Sequence, residues 1–119
     1  MNMIYLASPY TDDDKGVEHA RFEAVCEYAA AMMLSGLHVF SPIAHGHSLA
    51  AYGPLPTDFE FWEDYCNSSI ARCDVLAVLR LPGWGDSRGV SQEMKWAKTL
   101  KMPIRMLNPD LLPSSEFFR

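Results

Sequence analysis

The chain has 119 residues, 49% of them hydrophobic and 21% charged, the composition of one globular domain, which excludes a disordered, fibrous or repeat protein. Fifteen acidic against ten basic side chains give a net charge of −5 with no basic run, so tracking of a nucleic-acid polymer is not expected. A domain of this size removes roughly 65% of its unfolded-chain surface from water and needs no disulfide or metal staple; it is far short of the ~250 residues of a (β/α)8 barrel.

Met3-Ile4-Tyr5-Leu6-Ala7 is an unbroken apolar run ended by Ser8-Pro9, the pattern of a parallel strand covered on both faces. Tyr10 to Gly16, with Asp12-Asp13-Asp14 inside it, reads as a polar loop. From Val17 a helix is expected, with Phe22, Val25, Cys26, Ala29 and Met33 on its apolar face, Glu18, Glu23 and Glu27 on others, and Ser35-Gly36 as its stop. Leu37 to Phe40 reads as a second strand cut off by Pro42. Ile43 to Pro56, which holds Gly46, Gly53, Pro54 and two histidines, reads as a long loop of the kind that is often functional.

Thr57-Asp58 can cap a helix through Phe61, Trp62, Tyr65, Ser69 and Ile70. Asp74 to Leu79 is the strongest strand signal and leads into a glycine-rich turn, Leu81 to Gly89. A helix with Val90, Met94, Ala97 and Leu100 on its apolar face follows, then a last strand, Ile104 to Leu107, and an irregular tail after Asn108. The alternation of strands and helices implies an α/β fold: a parallel sheet with right-handed crossovers and helices on both faces. Ligands of such sheets bind beyond the carboxyl ends of the strands, which singles out the loops Ala7–Gly16, Ser41–Pro56 and Leu81–Gly89.

Cys26, Cys66 and Cys73 are odd in number and include no C-x-x-C pair, so a reduced, cytoplasmic setting is expected, with neither a disulfide framework nor a zinc ribbon. No secretory leader pattern and no run of ~20 apolar residues is present, so no membrane partner is expected.

The turn Gly83–Gly89 fails the dinucleotide fingerprint G-x-G-x-x-G, because Arg88 occupies the third glycine position, and the phosphate loop G-x-x-x-x-G-K-[ST] is absent. Ser87, Gly89 and Glu93 make a different pattern. Free N–H groups at a helix start, beside a glycine and a hydroxyl, form an anion site. Glu93 lies six residues after Ser87 and three after the core position Val90, so its carboxylate can border both core and cleft. The plainer alternative is an exposed glutamate complementing the helix dipole.

Three segments together, Ile4-Tyr5-Leu6-Ala7-Ser8-Pro9, Ile70-Ala71-Arg72-Cys73-Asp74-Val75-Leu76 and Ser87-Arg88-Gly89-Val90-Ser91-Gln92-Glu93 followed by Ala97, resemble the nucleoside 2-deoxyribosyltransferase-like superfamily. The chain is similar to its small uncharacterised bacterial and phage members and to the 2'-deoxynucleoside 5'-phosphate N-hydrolases, over roughly Met3 to Leu107. The resemblance implies a flavodoxin-like three-layer αβα sandwich with a four- to five-stranded parallel sheet. It also implies cleavage or transfer at the N-glycosidic bond of a nucleoside or nucleotide, without metal or cofactor, in a homodimer or larger homo-oligomer.

By the same resemblance Glu93 is the nucleophile, forming a glycosyl ester that a second displacement resolves. The position of Ser87 is acidic in the transferases and serine in the 5'-phosphate hydrolases, so Ser87 with Gly89 favours a 5'-monophosphate, against which Asp86 next door argues. Tyr5 matches a tyrosine that orients the nucleophile or contacts the sugar; a buried strand tyrosine bonded to backbone is the alternative.

Family members often carry an aspartate eight residues before the one that opens the third strand, where it handles the base. Counting back from Asp74 reaches Cys66, which leaves Asp64 as the acid that could reach in, with Asp74 itself structural. The substrate contacts expected are Ala7, Ser8, Pro9 and Tyr10 after the first strand, His45 and His47, and Trp84, Ser87, Arg88 and Gly89. Trp84 would stack on the base or simply pack the turn, the histidines would touch base or phosphate, and Arg88 would neutralise phosphate or point to solvent. His45-Gly46-His47 lacks a third metal ligand, and Asp12-Asp13-Asp14 reads as a solvated turn. Two further classes stay open: a non-catalytic nucleotide-binding module and a structural or partner-binding domain.

Overall fold

The computed structural model describes residues 2–56 and 58–118. Four strands, β1 (Met3–Ala7), β2 (His38–Phe40), β3 (Val75–Leu79) and β4 (Ile104–Leu107), form one sheet in the order β2-β1-β3-β4, all parallel. Strand order reverses between β1 and β3, so the space beyond the carboxyl ends of these two strands is where a ligand belongs.

Because side chains alternate along a strand, each buried strand feeds two cores. Ile4 and Leu6 of β1 join Val75, Ala77 and Leu79 of β3 and Leu107 of β4 in one core. Val25, Tyr28 and Met32 of helix α1 (Lys15–Leu34) close it. Tyr5 and Ala7 join Leu76 and Val78 on the opposite face. There Ile70 of helix α3 (Phe59–Ile70) and Val90 and Ala97 of helix α4 (Arg88–Thr99) complete the layer. This is the expected three-layer α/β sandwich with a four-stranded sheet.

Several local expectations are corrected. Ile43–Pro56 is not one long loop, because helix α2 occupies Pro42–Ala50. The Ser41 hydroxyl caps it by accepting from the Ala44 N–H at 3.1 Å, and Pro42 takes the first turn, where its missing N–H costs nothing. Helix α1 begins at Lys15 rather than Val17, capped by the Asp14 carboxylate on the Gly16 N–H. Its buried stripe runs through Val25, Tyr28 and Met32, whereas Met33 is 59% exposed. Glu18, expected on a polar face, is buried: its carboxylate accepts from the Asp12 N–H and the Lys15 ammonium and so pins the loop after β1.

Leu37 precedes β2 rather than opening it, and Leu100 is half-exposed just past α4. Asp58 caps α3 on the Phe61 N–H at 3.1 Å; Thr57 lies outside the described residues. The tail is not wholly irregular: Ser115–Phe118 forms a 3-10 turn and buries Phe118 against the α1 core. Gly36 (φ 95°) ends α1 in the left-handed region, as the Ser35-Gly36 stop requires. No described helix is long and apolar enough to cross a membrane.

Candidate active site

Glu93, on the second turn of α4 and 6% exposed, is a carboxylate buried against the sheet. It faces the sheet because α4 must turn Val90, Glu93 and Ala97 inward together to bury its apolar stripe. The Tyr5 hydroxyl, at the middle of β1, donates a hydrogen bond to Glu93 Oε2. Burial raises the Glu93 carboxyl and the Tyr5 hydrogen bond offsets part of that rise, leaving it at about 7. Burial, then the charge of Glu93, holds the Tyr5 phenol far above its ordinary range, so it remains a donor. Cys66 of α3 lies beside the pair, and burial pushes its thiol up to about 11. A neutral thiol, a neutral phenol and a carboxyl poised near neutrality therefore share one patch.

With Tyr5 buried behind Glu93, Cys66 and Glu93 of this patch line the floor of a pocket of about 380 Å³. Its walls come from the β1 loop (Ser8, Tyr10), from α2 (Ile43, Gly46, His47), from α3 (Phe59, Trp62, Glu63, Cys66) and from the start of α4 (Ser87, Arg88, Gly89, Trp96). The α3 residues fall at i, i+3, i+4 and i+7, one helical face. The α4 residues Gly89, Glu93 and Trp96 repeat the pattern at i, i+4 and i+7.

Two features suit the mouth of this pocket to an anion. Ser87 caps α4 by accepting from the Val90 N–H at 3.2 Å, which leaves its own O–H free to donate. The N–H groups of Arg88 and Gly89 lie in the first turn, where no intrahelical acceptor exists, and a side chain at Gly89 would meet nothing closer than Ser87 Oγ at 3.9 Å. Ser8 Oγ is buried and has no partner among the described residues, an unmet polar group on the lining. Arg88 is exposed; it lies 4.2 Å over the Phe59 ring and 3.6 Å from Glu60 across the mouth.

The structure brings Cys66 and Glu93 together at the floor, with Tyr5 buried behind Glu93, and Ser8, Tyr10, His47, Ser87, Arg88 and Gly89 around them. His47 Nδ1 is 2.7 Å from the Tyr10 hydroxyl, and its ring stacks on Phe22 at 3.9 Å. Five other expected residues fall outside the pocket lining. Ala7 and Pro9, on either side of Ser8, are buried and do not line the pocket. His45 turns to the Tyr65 hydroxyl, 2.6 Å away and outside the pocket. Asp64 points off the pocket face of α3, and Glu63 stands in its place. Trp84 packs against the α3/α4 core and borders a separate small groove with Met94 and Lys95.

Asp74 fastens the sheet: its carboxylate accepts from the Met3 N–H at 2.8 Å. Residues not anticipated are Trp62, Glu63 and Trp96, visible only once helix phase is known, and Arg21. The Arg21 guanidinium donates to the carbonyls of Tyr10, Thr11 and Pro82 and so ties the β1 loop to the β3 loop. Gly83 (φ 90°) makes room for it, since a Cβ there would lie 2.6 Å from Arg21 Nη2. No cluster of three described His, Cys, Asp or Glu side chains is placed to hold a metal.

Residues 2–108 match a protein family described as Domain of unknown function (DUF1937). No curated protein matches the chain. Among solved structures, a 2-deoxyribosyltransferase from the psychrotolerant bacterium Bacillus psychrosaccharolyticus, characterised as a biocatalyst for nucleoside synthesis, matches with a TM-score of 0.61 at 21% sequence identity. The match covers 90% of this chain and 72% of that one. At that identity the likeness is one of fold, and it is the fold that the sequence resemblance implies.

Proposed function

The chain belongs to the DUF1937 family, and we propose that this member cleaves or transfers at the N-glycosidic bond of a (deoxy)nucleoside 5'-monophosphate, with Glu93 as nucleophile. The observation that carries the reading is a buried Glu93, held by Tyr5 from behind, at the floor of an open pocket whose mouth is the first turn of α4. The phosphate lies on the N–H groups of Arg88 and Gly89 and on the Ser87 hydroxyl, with Arg88 supplying countercharge. That arrangement sets the sugar over Glu93. Its carboxylate attacks the anomeric carbon, the C–N bond breaks, and the bond's electron pair leaves on the base nitrogen, which takes up a proton. The product of this step is a glycosyl ester on Glu93 Oε. Water, losing a proton, or the nitrogen of a second base then attacks the same carbon and releases the carboxylate, with net retention. Tyr5 stabilises the ionised form of Glu93 before attack and after release.

The test is a panel of nucleosides and their monophosphates, with liberated base read by chromatography. The expected result is base release from one or more monophosphates and its loss in Glu93→Gln; release that persists in that variant removes Glu93 from the chemistry. A non-catalytic nucleotide-binding module is the second reading, favoured by Cys66, whose thiol holds its proton too tightly to act as a strong acid toward the leaving base. Thermal stabilisation by monophosphates without any base release would support that module instead. A purely structural or partner-binding role calls for a closed cleft beside Glu93, and the open pocket speaks against it.

A further inference from the structure

We propose that Trp62 and Glu63 form the subsite for the base, and that it selects bases whose outer edge carries an exocyclic amino group over those that carry a carbonyl there. This rests on the nucleotide reading above. With phosphate on the first turn of α4 and the anomeric carbon over Glu93, the walls left for the base are those of α2 and α3, where Trp62 and Glu63 stand.

Trp62 is held before any ligand arrives. Its indole N–H donates to the Pro56 carbonyl at 2.9 Å, and Phe61 and Tyr65 meet it edge to face at 5.2 and 5.3 Å. Helix α2 comes so close that a Cβ on Gly46 would lie 3.0 Å from the Trp62 ring. Glycine at the centre of His45-Gly46-His47 thus has a packing reason: it lets the indole lie against α2. A fixed, flat ring on the lining is a stacking platform for a planar base.

Glu63 supplies the edge recognition. Four carboxylates line the pocket, and three are engaged: Glu93 by Tyr5, Asp58 by the Phe61 N–H, Glu60 by Arg88. Glu63 alone has no hydrogen-bond or ion-pair partner among the described residues. An ionised carboxylate only accepts hydrogen bonds. An amino group on the base donates to it, whereas a carbonyl at the same place sets lone pair against lone pair.

Binding isotherms for two isosteric pairs, dAMP against dIMP and dCMP against dUMP, test this directly, with turnover blocked by Glu93→Gln and again in the otherwise unaltered chain. The amino member of each pair should bind about tenfold more tightly. Glu63→Gln, whose amide both donates and accepts, should compress the difference to about threefold or less, while Glu63→Asp keeps its direction. Trp62→Ala should weaken all four ligands alike. Equal binding within both pairs, or a preference that survives Glu63→Gln unchanged, overturns the subsite. Preference without base release leaves the subsite standing and sinks only the reaction; no binding of any of the four sinks both.

Discussion

The two faces of the sheet are built from the same strands and do opposite things. Toward α1 the strands present Ile4, Leu6, Val75, Ala77, Leu79 and Leu107, closed by Val25 and Met32, an apolar cluster. Toward α3 and α4 the same strands present Tyr5, Ala7, Leu76 and Val78, and into this layer come Cys66 and Glu93. One face spends its burial on stability; the other tolerates a carboxyl whose ionisation burial opposes. The dry face holds β1 and β3 in register so that the polar face can keep Tyr5 against Glu93 with no freedom to turn away. Rigid support behind a buried polar pair keeps its geometry fixed.

Substitutions on the two sides should therefore separate chemistry from stability. Glu93→Gln should lower base release by about a thousandfold or more, as removal of a covalent nucleophile does. On the dry face, Met32→Ala should cost about 2–5 kcal/mol of stability by leaving a cavity, with no change in the pH dependence of whatever activity remains. Urea unfolding read beside base release checks both; equal losses of activity in the two variants would erase the distinction.

The same carboxyl makes a stability prediction. Its value is raised from 4.5 to about 7 on folding, so the folded state holds the proton more tightly than the unfolded chain does. That contribution is present below pH 4.5 and is lost as pH rises through about 7. Glu93→Gln should accordingly raise the melting temperature above pH 7 and leave it nearly unchanged in acid. Melting curves across that range decide it, and a uniform offset at all pH would place the effect elsewhere.

Tyr5→Phe removes the donor that favours the ionised form. The acidic limb of the activity profile, set by ionisation of Glu93, should move up by about one pH unit, costing roughly tenfold in acid, about fivefold at neutrality and little in alkali. A pH–rate profile with an unmoved inflection would mean that Tyr5 does not govern Glu93. The smallest effect is expected at the rim. Arg88→Gln should weaken monophosphates by about threefold to fivefold and leave nucleosides unaffected, because the guanidinium is exposed and already shared with Glu60.

How much of this was legible from residues alone follows the same division. The strands Met3–Ala7 and Val75–Leu79 declare themselves because both faces are covered and the apolar run is unbroken. Glu93 is legible through its spacing from Val90. Helix α2 is not, because Gly46 and the flanking Pro42 look like chain breaks until Trp62 is seen to need the space. The choice between Asp64 and Glu63 turns on helix phase, which α3 discloses only through its contacts, and Met32 against Met33 fails for the same reason on the alanine-rich α1. Phe118 lies in a tail without periodicity, and its burial follows from long-range packing that no local pattern encodes.

The most direct test of a nucleophilic Glu93 is intact-protein mass spectrometry after rapid acid quench of the protein mixed with a monophosphate that it cleaves. A covalent route predicts a transient mass gain equal to the sugar phosphate less water, mapped by peptide digestion to Glu93 and absent from Glu93→Gln. Base release at full rate with no adduct at any quench time, or an adduct mapped to another residue, would contradict it.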